Sequence, residues 1–461
     1  MLHLVDRSRI LDQWSWCSRR RYLQYHSGPL GYGIRPKRKA IPLATGLYIH
    51  AAIADLLTLN KDDDRAGARE IIAKQLKRYR EAVKAGFQGI AEQSPEYDFL
   101  EDEQASLIEG LFWGFRRVVL PVLRARFNLL AIEREEGMVV DCTCGLGEGV
   151  GELPDHEARD CEGTAVMSRP DLLVEDKVSG EVGNLDFKTS GDCLAVNFPD
   201  QFEDNVQLVL GSLGAEKRLG REISHCYILG LNKGWRVKSK LPEDFGRVKT
   251  GPRKQESVFC YAWKREANPP NWAEDWRWSF EYEEVHAATG EMKRHTLKGK
   301  GYDKAPIWTL QAAAMEGMSA LEYWVEWLPE DVVAGEFRLL GPIPMPRHLG
   351  KDVLEAITHE ERRNRERLWE VYEAIEAHGW TSAEVQSALN QHFPQSWDCK
   401  RYGGHCPMLK ICKRDVGWED PIGSGDYILR RPHHQPEVAQ MLARGIEPPP
   451  EEWEEEGEGG R

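Results

Sequence analysis

The stretch from 165 to 190 constrains the fold more than any other part of the chain. Ala165–Val174 and Val182–Phe187 are short apolar runs of strand type, joined at Ser179-Gly180, a dipeptide suited to reversing the chain. That turn lays the end of the second strand beside Asp171. Side chains alternate across a strand, so Asp186 and Lys188 project to one face while Phe187 points into the core. Two carboxylates and one ammonium therefore converge at one end of a predicted hairpin. Hard divalent cations take oxygen ligands, and Mg²⁺ is typically held by one or two carboxylates while keeping several waters. A lysine beside them can orient or deprotonate water, or stabilise charge that develops on a phosphate. An isolated Asp-x-Lys is a common surface ion pair; Pro170-Asp171, fifteen residues before Asp186, is what gives this one weight.

The surroundings suggest an α/β chain, with a mixed sheet embedded in helical additions. Helices are expected over 8–25, where Ser8 suits an N-cap and Ile10, Trp14, Cys17 and Arg21 share a face, and over 45–58, 64–90, 99–126 and 198–218. A further one is expected over 351–377, where Leu354, Ile357, Leu368, Val371, Tyr372 and Ile375 mark an apolar stripe. Leu129–Ile132, Ile223–Leu231 and two aromatic-rich runs within 257–284 read as strands. The expected units are N-terminal helices over 1–58, a helical insertion over 59–127, the hairpin-bearing core over 128–300, a helical region over 301–395, a cysteine segment over 396–430, and a disordered acidic tail over 431–461.

Charge at first argues against a polyanionic partner: 61 Lys+Arg face 75 Asp+Glu, a formal net charge of -14 over 461 residues. Its distribution reverses that inference. Residues 7–39 carry nine basic residues against one acid, 217–254 carry eleven against three, and 447–461 carry seven glutamates against one arginine. The basic run Lys233–Lys254, with Trp235 and Phe245 inside it, suits phosphate contact with occasional base stacking, or a solvated loop. No run of eighteen apolar residues and no leader of secretory type is visible, so no membrane association and a cytoplasmic location are expected. Ten cysteines in this length are too sparse for a disulfide scaffold.

Pro170-Asp171 followed by Asp186-Phe187-Lys188 resembles the PD-(D/E)XK nuclease superfamily. Gly46-Leu-Tyr-Ile-His50 resembles the Gly-x-x-x-His helix of its RecB-type exonucleases, and Glu133 matches the acid that often ends the preceding strand. Gln207 resembles the glutamine on the helix after the lysine strand, although the usual Gln-x-x-x-Tyr has Gly211 at its last position here. The resemblance implies a restriction-endonuclease-like sheet and a metal-dependent deoxyribonuclease, more specifically an exonuclease. His50, Asp171, Asp186 and the carbonyl of Phe187 would ligate Mg²⁺ or Mn²⁺, and Lys188 would position or activate water. It further implies DNA as substrate, in recombination, repair or phage DNA metabolism, with a helicase or recombinase as partner. No Gly-x4-Gly-Lys-Ser/Thr phosphate loop is present, so the chain carries no helicase motif of its own.

Cys399, Cys406 and Cys412 form Cys-x6-Cys-x5-Cys flanked by glycine and proline, a segment able to wrap a soft metal that still needs a fourth thiolate. Trp14-Ser-Trp-Cys17-Ser-Arg-Arg-Arg-Tyr-Leu resembles the N-terminal cysteine segment of AddB-type and CRISPR-adaptation nucleases, with Ser18 where proline is usual. In those families one N-terminal and three C-terminal cysteines hold a [4Fe–4S] cluster, which implies the same for Cys17, Cys399, Cys406 and Cys412; zinc is the alternative. Cys142, Cys144, His156 and Cys161 offer a weaker second set. Two other readings stand beside the nuclease: an idle DNA-binding or scaffold subunit that keeps the fold, and a zinc-bound regulatory protein.

Overall fold

The computed structural model describes residues 2–6, 17–26, 33–37, 41–59, 64–87, 95–142, 163–190, 198–199, 202, 205–233, 261–265, 277–285, 292–300, 330–345, 347–396, 406–415, 417–432, 434–443 and 445–449. In chain order these form β1 (Leu2–Asp6), α1 (Ser18–Tyr25), β2 (Ile34–Pro36), α2 (Ile41–Leu57), α3 (Arg65–Phe87) and α4 (Pro95–Gly114). A π-helical turn, Phe115–Val119, leads into α5 (Leu120–Arg126), then β3 (Phe127–Ile132), β4 (Glu136–Cys142), β5 (Gly163–Ser168), β6 (Leu172–Asp176) and β7 (Val182–Ser190). There follow α6 (Val206–Leu219), β8 (Ile223–Asn232), β9 (Tyr261–Arg265), β10 (Arg277–Val285), β11 (Met292–Lys300), α7 (Glu330–Ala334) and β12 (Phe337–Pro344). The last elements are α8 (Arg347–His378), α9 (Ala383–His392), α10 (Leu409–Lys413), β13 (Tyr427–Leu429) and α11 (Gln435–Ala443).

The chain is mixed α/β. A five-stranded sheet runs β12-β8-β7-β6-β3, with β7 and β8 parallel and the other pairs antiparallel. A second sheet, β1-β5-β4, pairs β1 parallel to β5. Strands β9–β11 form a third sheet and β2–β13 a ribbon. Alternation along β6 and β7 decides which face each residue joins. Leu172, Val174, Leu185 and Phe187 enter the large core built with α2, α3 and α4, whereas Leu173 and Val182 join Ala215 of α6 on the other side. A slip of one residue would exchange the two sets, so the apolar pattern fixes the register.

Several elements depart from expectation. The run 165–174 is two strands in different sheets, broken at Arg169-Pro170-Asp171; proline removes a ladder donor and restricts the residue before it. Helix α6 starts at Val206, not 198, because the Asn205 side chain accepts the Gln207 N–H and caps it there. Helix α2 starts at Ile41, with Pro42 in its first turn, rather than at 45. In place of a start there, Thr45 is buried and donates to Gln104 of α4 at 2.8 Å. The first described helix begins at Ser18 with Cys17 at its N-cap; Ser8, Ile10 and Trp14 lie outside the described residues. The segment 301–395 is not all helix, since β12 closes one edge of the main sheet. The acidic tail contains α11, whose Val438 and Met441 are buried; the expectation of disorder weighed its Pro/Glu/Gly composition and overlooked those two anchors. Among the described residues no helix is long and apolar enough to cross a membrane.

One buried ion pair ties the N-terminal segment to α8. The Arg21 guanidinium donates through both terminal nitrogens to the Glu361 carboxylate, and His3 of β1 lies 3.3 Å from the same group. Arg21 is 0% exposed and Glu361 2%. Burial alone would raise the Glu361 pKa; the charge of Arg21, with hydrogen bonds from His3 and Arg21, overcomes that and holds it well below the usual carboxylate range. A depressed folded-state pKa contributes stability above the unfolded value near 4.5, and that contribution is lost as pH falls below it. Glu361→Gln, which leaves a buried guanidinium without its counter-charge, is expected to cost about 3–5 kcal/mol at neutral pH. Urea unfolding should show the gap between wild type and variant narrowing as the pH is lowered.

Candidate functional site

The β6–β7 ladder pairs Leu172 with Leu185, which sets Asp171 opposite Asp186 at the mouth of the hairpin. The reversal is tight: Gly180 takes φ +73°, a conformation glycine reaches without strain, and Asp176 accepts the N–H groups of Val178 and Ser179. Asp186 is nearly buried, and its carboxylate meets the Lys188 ammonium at 2.5 Å. Gln207, at the start of α6, bridges the two: its amide nitrogen donates to Asp186 at 3.2 Å, and its amide oxygen accepts from Lys188 at 2.9 Å. Asp171 turns the other way and accepts the Phe187 N–H at 2.5 Å.

His50 reaches this group from α2. Its Nδ1 lies 3.7 Å from Asp171 Oδ2, and its ring meets Phe187 edge-on with centroids 5.9 Å apart. The glycine one turn earlier makes the approach possible. A Cβ on Gly46 would sit 2.7 Å from Thr189 Oγ1 of β7, so a larger residue here must displace the Thr189 hydroxyl. Glycine inside a helix costs about 1 kcal/mol relative to alanine, a cost accepted here for contact.

Burial, followed by the positive charges of Lys188 and Lys233, lowers the His50 pKa to about 3, so the imidazole is neutral and able to act as a ligand. Asp171 is pushed well above the usual carboxylate range by burial and then by Asp186, with Glu133 adding to the effect and the Phe187 N–H and Lys188 opposing it. Glu133 follows β3, takes φ +41°, and donates its N–H to the Asp171 carbonyl at 2.9 Å. Its pKa is raised by burial and by Asp55, against the pull of Arg169. A buried carboxylate on Asp186, a part-buried one on Asp171 and a neutral imidazole bring oxygen and nitrogen donors together. This is the donor chemistry of a hard divalent cation. Among the described residues, however, no three His, Cys, Asp or Glu side chains are close enough together to hold a metal as they stand: Asp186 faces Lys188 and Gln207 while Asp171 faces His50.

The glycine at 211 has a packing reason. A Cβ there would lie 3.1 Å from Asn184 Nδ2 and 3.3 Å from Pro170 Cγ, so α6 packs close to Pro170 and any larger residue needs these neighbours to give by a few tenths of an ångström. Sequence reasoning did not connect Lys233 or Asp55 with His50 and Glu133, although both act on them electrostatically. Placing β8 parallel to β7 would have exposed the first, because Lys233 is the residue after that strand.

The cysteines are distributed around the junction of the chain ends. Cys17 Sγ accepts the Ser396 N–H at 3.3 Å, while the adjacent Gln395 donates its side-chain amide to the Cys412 carbonyl at 3.0 Å. Arg19 donates to Phe393 O at 2.7 Å and feels the charges of both Cys412 and Cys17. Cys406 and Cys412 pack against the cluster of Tyr22, Leu23, Met408 and Ile411. Cys399 lies outside the described residues, as do Cys144, His156 and Cys161 of the second set; Cys142 ends β4. The basic run beyond Lys233 also lies outside them.

No family model matches the chain, and no curated protein matches it either. The helix–strand contact gives a test of the site's construction. Gly46→Val should cost about 1–3 kcal/mol by overpacking against Thr189, and adding Thr189→Ala should recover part of the loss in urea-unfolding midpoints.

Proposed function

We propose that the chain is a metal-dependent deoxyribonuclease of the PD-(D/E)XK type. The observation that carries this reading is the convergence of Asp171, Asp186 and Lys188 at one hairpin mouth, with Gln207 bridging two of them and His50 entering from α2. In donor type, though not in the spacing the side chains take here, the set suits Mg²⁺ or Mn²⁺, which Asp171, Asp186, neutral His50 and the Phe187 carbonyl would hold. Bound there, the ion would supply Lewis-acid polarisation of a phosphate and lower the pKa of water.

The chain's own groups have definable tasks on this reading. Lys188, held by Asp186 and Gln207, presents an ammonium at a fixed point, where it orients the attacking water and offsets charge on the phosphate oxygens. His50 stays neutral at physiological pH and adds no competing positive charge. Glu133 is a third acid at the rim, and its N–H bond to the Asp171 carbonyl fixes the backbone that carries Asp171. The finer attribution, an exonuclease in DNA recombination, repair or phage DNA metabolism with a helicase or recombinase partner, rests on the sequence resemblance.

The juncture of Cys17 with the 395–412 segment supports a structural metal at the chain ends, with Cys399 as the remaining ligand and a [4Fe–4S] cluster favoured over zinc.

Lys188→Ala should abolish Mg²⁺- or Mn²⁺-dependent cleavage of end-labelled DNA while leaving a folded circular-dichroism spectrum, with the unfolding midpoint lowered because buried Asp186 loses its counter-charge. Full activity in that variant would remove Lys188 from the reaction. Anaerobically purified protein should be brown, with broad absorbance near roughly 400 nm from thiolate–iron charge transfer, and Cys17→Ser should bleach it. A colourless preparation containing one equivalent of zinc would exchange the cluster for a zinc site.

A further inference from the structure

The parallel β7–β8 pair ends beside the candidate site. Its register aligns Lys188 with Gly230 and Ser190 with Asn232, and it is extended one step further by the Lys233 N–H, which donates to Ser190 O at 3.0 Å. The end of β8 is anchored as well: Asn232, buried, donates its backbone N–H and its side-chain amide to buried Glu336, both at 2.9 Å. Paired residues of parallel strands share a face, so Asn232 belongs with Ser190, Lys188 and Asp186 on the side of α6. The next residue, Lys233, continues the alternation onto the face of Phe187 and Thr189, which α2 covers with Gly46 and His50. The site thus receives one cation from each face of the same strand pair, at the carboxyl ends where open α/β sheets bind ligands. That His50 feels the positive charge of both lysines agrees with this placement.

We propose that Lys233 is a second phosphate-binding residue of this site, engaging a backbone phosphate beside the one attacked, on the His50 side of the strand pair. The inference rests on the nuclease reading and extends it. Lys188 is held by Asp186 and Gln207 at one point of the site, and a phosphate chain presents its next charge at another, where a second cation engages it. Lys233 is half-buried on a strand end fixed by its backbone, which gives its ammonium a defined reach. It also opens the basic stretch of sequence that runs to Lys254.

The test uses the full chain carrying Lys188→Ala, so that bound DNA is not consumed, with fluorescence anisotropy of a labelled oligonucleotide over a series of salt concentrations. Adding Lys233→Gln should weaken binding several-fold at low salt and reduce the slope of log K against log salt by about 0.7–0.9, the signature of one lost phosphate contact. Adding Lys233→Arg in its place should keep both. An unchanged slope and affinity in Lys233→Gln would overturn the assignment, and so would equal losses in the Gln and Arg variants, which mark a packing role. Cleavage by the otherwise wild-type chain separates the two proposals: DNA cleavage that depends on Lys188 alongside an indifferent Lys233 sinks only the present inference. Absence of DNA binding and cleavage in the wild type removes the nuclease reading and this inference with it.

Discussion

Placing Asp171 and Asp186 across from each other at a largely buried hairpin mouth is the constraint around which the rest of the molecule is arranged. Two carboxylates so placed repel, and burial strips them of water. The chain offsets this with four groups drawn from three elements: Lys188 and the Phe187 N–H from β7 itself, Gln207 from α6 and the neutral His50 from α2. Each of these depends on the β6–β7 register, and the apolar pairs Leu172–Leu185 and Val174–Gly183 hold that register by committing one face of the hairpin to the core. Sheet packing and site chemistry are therefore the same constraint seen from two faces.

A second constraint acts at the chain ends. Ser18, Arg19 and Arg21 of α1 reach Pro394, Phe393 and Glu361, more than 300 residues away in sequence. Closing so long a loop is entropically costly, though the cost grows only slowly with length, and a bidentate buried ion pair with a small apolar cluster offsets part of it. The same contacts bring Cys17 beside residues 395–396. On the reading that four thiolates hold a cluster, protein contacts prearrange the ends and the metal would fasten an alignment that α1 and α9 already define.

The hairpin was legible in the sequence because its signals are local: a turn dipeptide, a period of two and charges at fixed offsets along β6 and β7. The helices of strong periodicity, α3, α4 and α8, were legible for the same reason. What escaped depends on partners distant in sequence. Pro170 divides a continuous apolar run between two sheets, and only the arrival of β1 beside β5 and β3 beside β6 shows where each half belongs. Phe198 and Phe202 carry helical spacing into α6 but are buried as an aromatic pair ahead of it, with Asn205 stopping the helix from extending back to them. Helix α11 hides in an acidic, proline-rich composition because two buried side chains suffice to dock it. Gly211 read as a lost tyrosine until its contact with Pro170 gave the position a task of its own.

The bulk charge of -14 remains the feature most at odds with a polyanionic substrate, and the fold shows how the two can coexist. Among the described residues several acids are paired with bases: Glu361 with Arg21, Glu136 with Arg218, Asp141 with Arg362 and Arg365, Asp176 with Arg126. Only the more exposed of these pairs contribute little to stability, and each pair, exposed or buried, neutralises a charge that would otherwise project a field. On the nuclease reading, a divalent cation held at the hairpin mouth would invert the sign of the charge there. Attraction would then be confined to a few ångströms around the site, screened beyond roughly one Debye length of about 8–10 Å. On that reading such a surface would hold DNA where it is cut and let it go elsewhere, which suits an enzyme that must release its product better than one built to retain it.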